Sequence, residues 1–258
     1  MLNFGSINRI VIALFSLLLL ADYWLSMPIY LYVFIGFIWF SLTVCGSFFI
    51  QWNYHFSSYH RNTNIEENKV AITFDDGPHP EFTPKALDLL KKYNAKATFF
   101  CIGKEMEAYT SIVSKIIDGG HTIGNHTYSH TRNFGFLSTG KVKQELQRTN
   151  AIAKKYFNIG LRLYRPAFGV TNPRIKRVLQ DIDLVPVGWS IRSLDTTKRS
   201  KKRILNRTIK NLKKGDVILL HDTSAKSIAV LEQLLLFLQQ EKLQSVTVNE
   251  LLDISAYE

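Results

Sequence analysis

Two neighbouring carboxylates stand at the end of an apolar, β-branched stretch of the chain. The stretch VAITF, residues 70–74, is followed at once by Asp75 and Asp76, and then by Gly77 and Pro78. Like charges repel, and an ionised carboxylate loses hydration when it is buried, so the pair needs a compensating partner. A metal cation is the obvious candidate for that partner.

A pair of histidines could supply further ligands for such a cation. His126 and His130 are separated by three residues in the stretch GNHTYSHT. At this spacing on a helical turn, both imidazoles would face the same way. Two histidines with one carboxylate form a catalytic metal set that leaves positions open for water and substrate. The spacing alone is weak evidence, because nearby histidines are often surface residues, but beside the two carboxylates it indicates a metal site.

Three further clusters of polar side chains follow apolar stretches. Arg165 stands in YRPAFG, Asp195 ends GWSIRSLD, and His221 with Asp222 ends VILLHD. Each cluster comes at or just past the carboxyl end of a predicted strand, and in parallel barrels that face carries the chemistry. The pattern therefore predicts one rim shared by seven side chains: Asp75, Asp76, His126, His130, Arg165, Asp195 and His221. Asp222 could instead cap the turn that follows its strand.

Strand-like and helix-like stretches alternate through the second part of the chain. The predicted strands are 70–75, 97–101, 121–125, 161–165, 185–191, 217–220 and 245–248. The predicted helices are 83–93, 109–118, 141–157, 173–182, 201–212, 228–240 and a last turn at 249–253. The first of these helices has Thr83 as its expected cap and Pro84 at its first position. Roughly seven strand–helix pairs in this order predict an α/β fold with a parallel sheet or barrel.

The first 65 residues differ from the rest, since Arg9, Asp22 and Arg61 are their only charged side chains. The uncharged stretch 27–50 is long enough to span a hydrocarbon layer of ~30 Å. The shorter apolar run 10–21 fits either a signal-type segment or a short span of a hairpin. We expect two spans.

The sequence thus predicts three regions: a membrane anchor at 1–54, a polar linker at 55–67 and a catalytic domain at 68–255. Two spans would place both ends of the hairpin on one side of the membrane, and the flanking positive charges weakly indicate the cytoplasmic side. Of the formal net charge of +11, all but one unit lies beyond residue 65. This surface could attract anionic lipid or acidic polymers, or be simply solvated, but no motif for nucleic-acid binding accompanies it.

Taken together, the motifs resemble a known family. TFDDGP, HTYSH, RPAFG, WSIRSLD and LLHD occur in the order found in the polysaccharide deacetylase family, carbohydrate esterase family 4, also called the nodulation-type deacetylase domain. The resemblance covers about 69–252, and five ordered motifs are far more specific than any single one. It implies a distorted (β/α)7-type barrel and the removal of N-acetyl groups from N-acetylglucosamine units of a glycan.

The resemblance also implies a role for each motif. The implied assignments are a divalent metal on Asp76, His126 and His130, a general base Asp75 paired with Arg165, a general acid His221 tuned by Asp195, and a substrate pocket of Phe168, Trp189 and Leu219. Zn²⁺ is the first expectation for the metal, with Co²⁺ or another divalent ion as the alternative. Phe168 would act through its backbone N–H towards the oxyanion. Trp189 and Leu219 are residue types found as often in a core as in a pocket.

Two motifs depart from the family pattern. Relatives often carry Arg-Pro-Pro-Tyr where this chain has Arg165-Pro166-Ala167-Phe168, so a backbone donor is kept and a tyrosine hydroxyl is lost. The fourth motif ends in Asp195-Thr196 instead of Asp-Trp, and Arg192 stands where an acidic residue is common. These changes affect the surroundings of His221 and the substrate wall but leave the metal ligands intact.

Three functions remain open on the sequence. The first is a membrane-anchored, metal-dependent N-deacetylase of cell-envelope glycans such as peptidoglycan or poly-N-acetylglucosamine. The second keeps the chemistry and acts on a lipid-linked amino sugar. The third is a glycan-binding module that has lost catalysis, against which the complete set of metal, base and acid candidates argues. The family implies an extracytoplasmic catalytic domain, whereas the positive flanks favour the cytoplasmic side. No protein partner is evident.

Overall fold

A computed structural model describes residues 3–258, and strands and helices alternate along it as the apolar pattern predicts. The strands are β1 (Lys69–Asp75), β2 (Ala97–Cys101), β3 (Thr122–Asn125), β4 (Leu163–Tyr164), β5 (Val185–Pro186), β6 (Ile191–Arg192), β7 (Val217–His221) and β8 (Gln244–Val246). The helices are α1 (Phe4–Leu25), α2 (Ile29–Phe48), α3 (Phe82–Lys92), α4 (Gly103–Ala108), α5 (Thr110–Asp118), α6 (Thr139–Phe157), α7 (Pro173–Asp181), α8 (Lys201–Ile209), α9 (Ala225–Gln240) and α10 (Val248–Leu252).

The strands form one curled sheet of the α/β type. Their order is β5-β4-β3-β2-β1-β7-β6, with β8 paired to β1, and every neighbouring pair is parallel. This confirms the predicted parallel fold of the distorted barrel type. In the central register Asp75 lies level with His221 of β7 and with Phe100 of β2. The carboxyl ends of neighbouring strands therefore meet at one edge, as the rim prediction requires.

The segment predicted as one strand at 185–191 is in fact two short strands at opposite ends of the sheet. β5 pairs with β4, whereas β6 pairs with β7. Between them, Val187 N–H donates to the Tyr164 carbonyl and Ser190 N–H donates to the Val217 carbonyl. The segment changes partners around Gly188, whose N–H donates to the Tyr59 carbonyl at 2.7 Å. The single-strand prediction was wrong because these few residues bridge the two edges of the curled sheet.

The two faces of the sheet bury different residues, as the alternation of a strand requires. On β1, one set of alternate residues packs against the helices: Val70, Ile72 and Phe74. Ala71 instead belongs to a second apolar cluster with Trp189 and Leu219, which lies inside the curl. By the same alternation, Thr73 and Asp75 face the inside. The alternation of the strand therefore places the carboxylate of Asp75 in the interior of the barrel.

Helix α3 begins two residues earlier than predicted. Its N-cap is Glu81 rather than Thr83. The Thr83 hydroxyl accepts a hydrogen bond from His79 N–H at 2.7 Å and donates to the buried carboxylate of Asp222. Thr83 therefore joins the first and last motif strands instead of capping its own helix. The short helix α4 was not predicted.

Two apolar helices precede the sheet. The first, α1, runs from Phe4 to Leu25, so the predicted apolar run at 10–21 is only its middle and the helix takes in Arg9 and Asp22. The mean hydropathy is 2.0 for α1 and 1.9 for α2, both are long enough to cross a membrane, and most of their side chains are exposed. Trp39 Nε1 donates to Asn8 Oδ1 at 2.8 Å and joins the two helices.

The polar segment predicted as a linker packs closely on the barrel. His55 and Ser58 are buried, and Tyr59 pairs with Val187 in an isolated parallel bridge. Arg61 forms an ion pair with Asp216, with Nε 2.6 Å from Oδ1. Segment 55–62 is therefore fixed against the barrel rather than being a free tether.

We predict that Asp216→Ala loosens this attachment. Asp216 is fully buried and binds Arg61, the Ser190 hydroxyl and Lys213 N–H, so its removal leaves several groups without partners. The expected loss of stability is about 2–4 kcal/mol, or roughly 5–10 °C in melting temperature. Thermal unfolding of the full chain in detergent micelles measures it. The exposed Asp118, changed to alanine, is the control, and equal melting temperatures for both variants would contradict the assignment.

Candidate active site

The adjacent carboxylates reach one cleft because the strand ends between them. Asp75 is the last residue of β1 and is 5% exposed on the inner face. Asp76 has φ of 72°, in the left-handed region, so its side chain does not continue the alternation of the strand. Gly77 follows where a Cβ would lie only 2.6 Å from a carboxylate oxygen of Asp222. The turn therefore needs glycine, and it brings Asp76 back beside Asp75.

The two histidines converge without a helical turn, contrary to the prediction. Residues 126–130 form a loop after β3, and Thr127 and His130 have φ values of 66° and 46°. Glu145 of α6 holds this loop: its carboxylate accepts hydrogen bonds from Ser129 N–H at 2.7 Å and from the Ser129 hydroxyl at 3.0 Å. Sequence reasoning missed Glu145, because a glutamate on an amphipathic helix gives no signal that distinguishes it from a solvated residue.

His126, His130 and Asp76 form a candidate ligand set that could hold a divalent cation. Nε2 of each histidine lies 3.3 Å from Asp76 Oδ1, and three donor atoms, one from each residue, lie within 4.8 Å of one another. His126 Nδ1 lies 2.9 Å from the Arg165 carbonyl. When Nδ1 donates its proton there, Nε2 presents its lone pair to the cluster, as a metal-ligating histidine requires. One carboxylate and two neutral imidazoles fit a cation such as Zn²⁺.

The charges of the cluster act differently on its three residues. Burial raises the pKa of Asp76, but the hydrogen bond and charge of His126 with the charges of His130 and His221 outweigh it, so the carboxylate stays ionised. Burial and the charge of His126 lower the pKa of His130 to about 4, which leaves that imidazole neutral. Burial lowers the pKa of His126, yet Asp75 and Asp76 bring it above its usual value.

Arg165 holds Asp75 in the interior. Its side chain is fully buried, and Nη1 lies 3.2 Å from Asp75 Oδ1. Nη2 donates to the Gly188 carbonyl at 3.0 Å and to the Thr73 hydroxyl at 3.3 Å, and the guanidinium stacks 4.3 Å from the Phe100 ring centroid. The structure thus brings together the base and partner that the sequence predicts.

His221 and Asp195 form a second pair on the other side of the cleft. His221 Nδ1 lies 2.8 Å from Asp195 Oδ1, and His221 backbone N–H donates to Oδ2 at 2.9 Å. Burial lowers the pKa of His221, but the hydrogen bond and charge of Asp195 and the charges of Asp75 and Asp76 raise it to about 9. His221 Nε2 lies 3.8 Å from Asp76 Oδ2, so its free nitrogen points to the ligand set.

The cleft between these pairs has a volume of about 230 Å³, and its walls include the three predicted substrate residues. Phe168 is 45% exposed, with its ring centroid 4.5 Å from that of His130. Trp189 and Leu219 are almost buried and also face the cleft, so they serve core and pocket together. Gly169 lies against Trp189, where a Cβ would come within 2.4 Å of the indole.

Asp222, unlike Asp75 and Asp76, does not line the cleft. It is fully buried and accepts from Thr83, and burial raises its pKa to about 6. Ser224, not Asp222, caps the following helix α9. The alternative that Asp222 caps that turn is therefore wrong, and its place is behind the turn at Gly77.

Comparison with known proteins identifies relatives of this chain. A family model for polysaccharide deacetylases matches residues 62–187. A peptidoglycan-N-acetylglucosamine deacetylase of Bacillus cereus is 34% identical over 194 residues, which cover 72% of this chain and 89% of the relative. A chitooligosaccharide deacetylase of Azorhizobium caulinodans is 34% identical, over 60% of this chain and 74% of the relative. A peptidoglycan-N-acetylmuramic acid deacetylase of Bacillus subtilis is 32% identical, over 72% of this chain and 39% of the relative.

Solved structures that resemble this chain include peptidoglycan deacetylases as well. A crystal structure of a peptidoglycan N-acetylglucosamine deacetylase in complex with an N-hydroxybenzamide compound has a TM-score of 0.71 and 32% identity, covering 78% of this chain and 94% of that one. The peptidoglycan deacetylase PdaC from Bacillus subtilis has a TM-score of 0.68 and 30% identity, covering 72% of this chain and 90% of that one. With a 34% identical relative matched over most of its length and the same fold, the chain belongs to the polysaccharide deacetylase family.

Proposed function

We propose that the protein is a membrane-anchored, metal-dependent hydrolase that removes N-acetyl groups from N-acetylglucosamine units of a cell-envelope glycan, either peptidoglycan or poly-N-acetylglucosamine. The observation that carries this proposal is the meeting of three ligand residues, Asp76, His126 and His130, in one cleft. A buried carboxylate–guanidinium pair stands on one side of them and a carboxylate–imidazole pair on the other. Several relatives are named as peptidoglycan deacetylases, which supports the substrate class.

The ligand set is proposed to hold Zn²⁺, with Co²⁺ or another divalent ion as the alternative. Such a cation, when bound, supplies a Lewis acid for the acetyl carbonyl and lowers the pKa of a water. Other residues of the chain position the proposed ligands. The turn at Gly77 positions Asp76, and the Arg165 carbonyl orients His126.

The proton transfers are assigned to the two pairs beside the ligand set. Asp75 accepts a proton as the oxygen of water attacks the acetyl carbon, and Arg165 holds that carboxylate in position. The carbon–nitrogen bond then breaks, and His221 gives its Nε2 proton to the departing amine while Asp195 holds the ring. The backbone N–H of Phe168 is proposed to donate to the oxyanion. Acetate and a free amino sugar are the products.

The substrate wall and the anchor complete the proposal. Trp189 and Leu219 offer an apolar surface for the acetyl methyl group, and the exposed ring of Phe168 offers a face for the sugar. The helices α1 and α2 are proposed to cross the membrane as a hairpin, because their exposed apolar side chains have no partners in the part of the chain that the structure describes.

We predict that Asp75→Asn nearly abolishes turnover without removing the metal. General bases contribute about 10²- to 10⁴-fold to rate, and Asp75 is not one of the three proposed ligands. Acetate release from N-acetylglucosamine oligomers should fall by that range, whereas metal content per chain should match the unmodified protein. The exposed Asp118→Asn is the control. Undiminished acetate release from the Asp75 variant would exclude it as the base.

Removal of the metal tests the ligand set itself. Dialysis against a chelator should abolish acetate release, and added Zn²⁺ or Co²⁺ should restore it. His130→Ala should reduce bound metal below one ion per chain, measured by elemental analysis. Only two of the three proposed protein ligands remain in this variant, and two hold a divalent cation weakly. Full activity of metal-free protein, or an unchanged metal content in the histidine variant, would refute the proposed set.

The pH profile tests the role of His221. A general acid must be protonated, so activity is lost as pH rises through the pKa of His221. Asp195 raises that pKa, and Asp195→Asn should therefore move the alkaline limb of kcat/KM to lower pH, by about one to two units. The rate at the optimum also falls, but the shift of the limb is the decisive reading. An unmoved limb would assign the protonating group to another residue.

A further inference from the structure

A basic groove leads away from the rim of the cleft along helix α8. Its volume is about 650 Å³, and its walls carry four cationic side chains, Arg61, Arg192, Arg207 and Lys210. Arg192 lines both the groove and the cleft, so the two cavities adjoin at that side chain. The proposed acetyl chemistry uses none of these four residues. Arg207 and Lys210 belong to the basic run KRSKKRILNRTIKNLKKG.

The charge of the groove is largely uncompensated. Arg61 is paired with the buried Asp216 below it. The other three cations make no ion pair with a carboxylate anywhere in residues 3–258. Arg207 Nε donates to the Arg192 carbonyl at 2.9 Å, which holds its guanidinium across the groove. Guanidinium and ammonium groups gathered in this way are suited to phosphate oxygens.

The groove lies next to the point where helix α2 ends. Gln51, three residues past that end, donates through Nε2 to the Trp189 carbonyl at 2.7 Å and to the Ser190 carbonyl at 3.2 Å. Ser190 in turn lines the groove. The exposed rings of Phe49 and Trp52 stack 5.2 Å apart beside Gln51, as aromatic side chains do at a membrane surface. Groove and cleft are therefore held near the level at which the hairpin would leave the bilayer.

We propose that this groove binds the phosphate group of a lipid-linked amino-sugar substrate, while the sugar itself enters the cleft. The proposal rests on the deacetylase function above and names its substrate as a membrane-bound form of the glycan. In an N-acetylated amino sugar joined to lipid through phosphate at C1, the phosphate and the acetamido group stand on neighbouring carbons. One side chain shared between groove and cleft, Arg192, matches that closeness. The lipid would extend towards the hairpin.

The test compares two substrates that differ only in phosphate. One is N-acetylglucosamine joined through a diphosphate to a short isoprenoid, and the other is the isoprenyl glycoside without phosphate. The double variant Arg207→Gln/Lys210→Gln, made in the full chain and placed in lipid nanodiscs, should raise KM for the diphosphate substrate about three- to tenfold. Its kcat/KM for the phosphate-free glycoside should stay unchanged. Lys141→Gln/Lys154→Gln, on the exposed side of α6, removes equal charge and should change neither value.

The other outcomes overturn the proposal. Equal losses on both substrates, or no loss on either, mean that the groove does not bind the phosphate of the substrate. Binding of the groove to bilayer lipids is distinguished from binding to the substrate phosphate by repeating the assay in nanodiscs of phosphatidylcholine with and without phosphatidylglycerol. A defect that follows phosphatidylglycerol, and not the phosphate of the substrate, assigns the groove to the membrane surface instead.

A binding measurement tests the groove independently of the proposed deacetylase activity. On an Asp75→Asn background, fluorescence anisotropy of a labelled diphosphate substrate reads the groove without turnover, and the groove variant should weaken binding by the same factor. If the unmodified protein releases no acetate from either substrate or from N-acetylglucosamine oligomers, the deacetylase function fails. Unweakened binding in the groove variant refutes the groove whether or not the deacetylase function holds.

Discussion

The interior of this barrel depends on one buried guanidinium. A charged side chain without access to water is stable only where its hydrogen bonds and its charge are matched, and Arg165 is fully buried. Its partners come from separate parts of the chain, namely Asp75 and Thr73 on the central strand and the Gly188 carbonyl in the segment that joins the two edges of the sheet. The carbonyl of the same residue faces His126. Arg165 therefore orients a proposed metal ligand, positions the proposed base and helps to close the curled sheet.

This arrangement separates the tasks of two adjacent carboxylates. Asp75 obeys the alternation of the strand and meets the guanidinium inside the barrel, whereas Asp76 leaves the strand in a left-handed conformation and meets the histidines. A residue with φ near 70° has little tolerance for a bulky side chain, but aspartate is among those that adopt it. The glycine that follows is required because the buried Asp222 occupies the space beside it. Each carboxylate therefore has its own compensating positive charge or ligand group, and the repulsion between them is not left unopposed.

The sequence brings the proposed site residues together where they stand at strand ends. Asp75 and His221 end neighbouring strands, so finding the strands was enough to bring them together. The loop at 126–130 could not be predicted in the same way, since its shape comes from contacts with Glu145 across a long loop rather than from local helical preference. The segment at 185–191 reads as one strand by composition, and only the closure of the sheet divides it. In both cases the decisive contacts join residues far apart in the chain, which periodicity does not record.

The contacts between the apolar hairpin and the barrel reach the walls of the cleft itself. Thr171, just after the Phe168 turn, donates its N–H to the Ser47 carbonyl at 2.9 Å near the end of α2. Gln51 holds the carbonyl of Trp189 on the neighbouring wall. The two loops that shape the proposed substrate pocket are thus supported by the segment that follows the hairpin. A catalytic domain on a flexible tether could sample glycan at many distances from a membrane, but a pocket whose walls are bonded to the helix end has a fixed height and orientation. If the hairpin crosses a bilayer, the fold holds the proposed active site at a fixed height, so the acetylated sugars that reach it are those presented close to that surface.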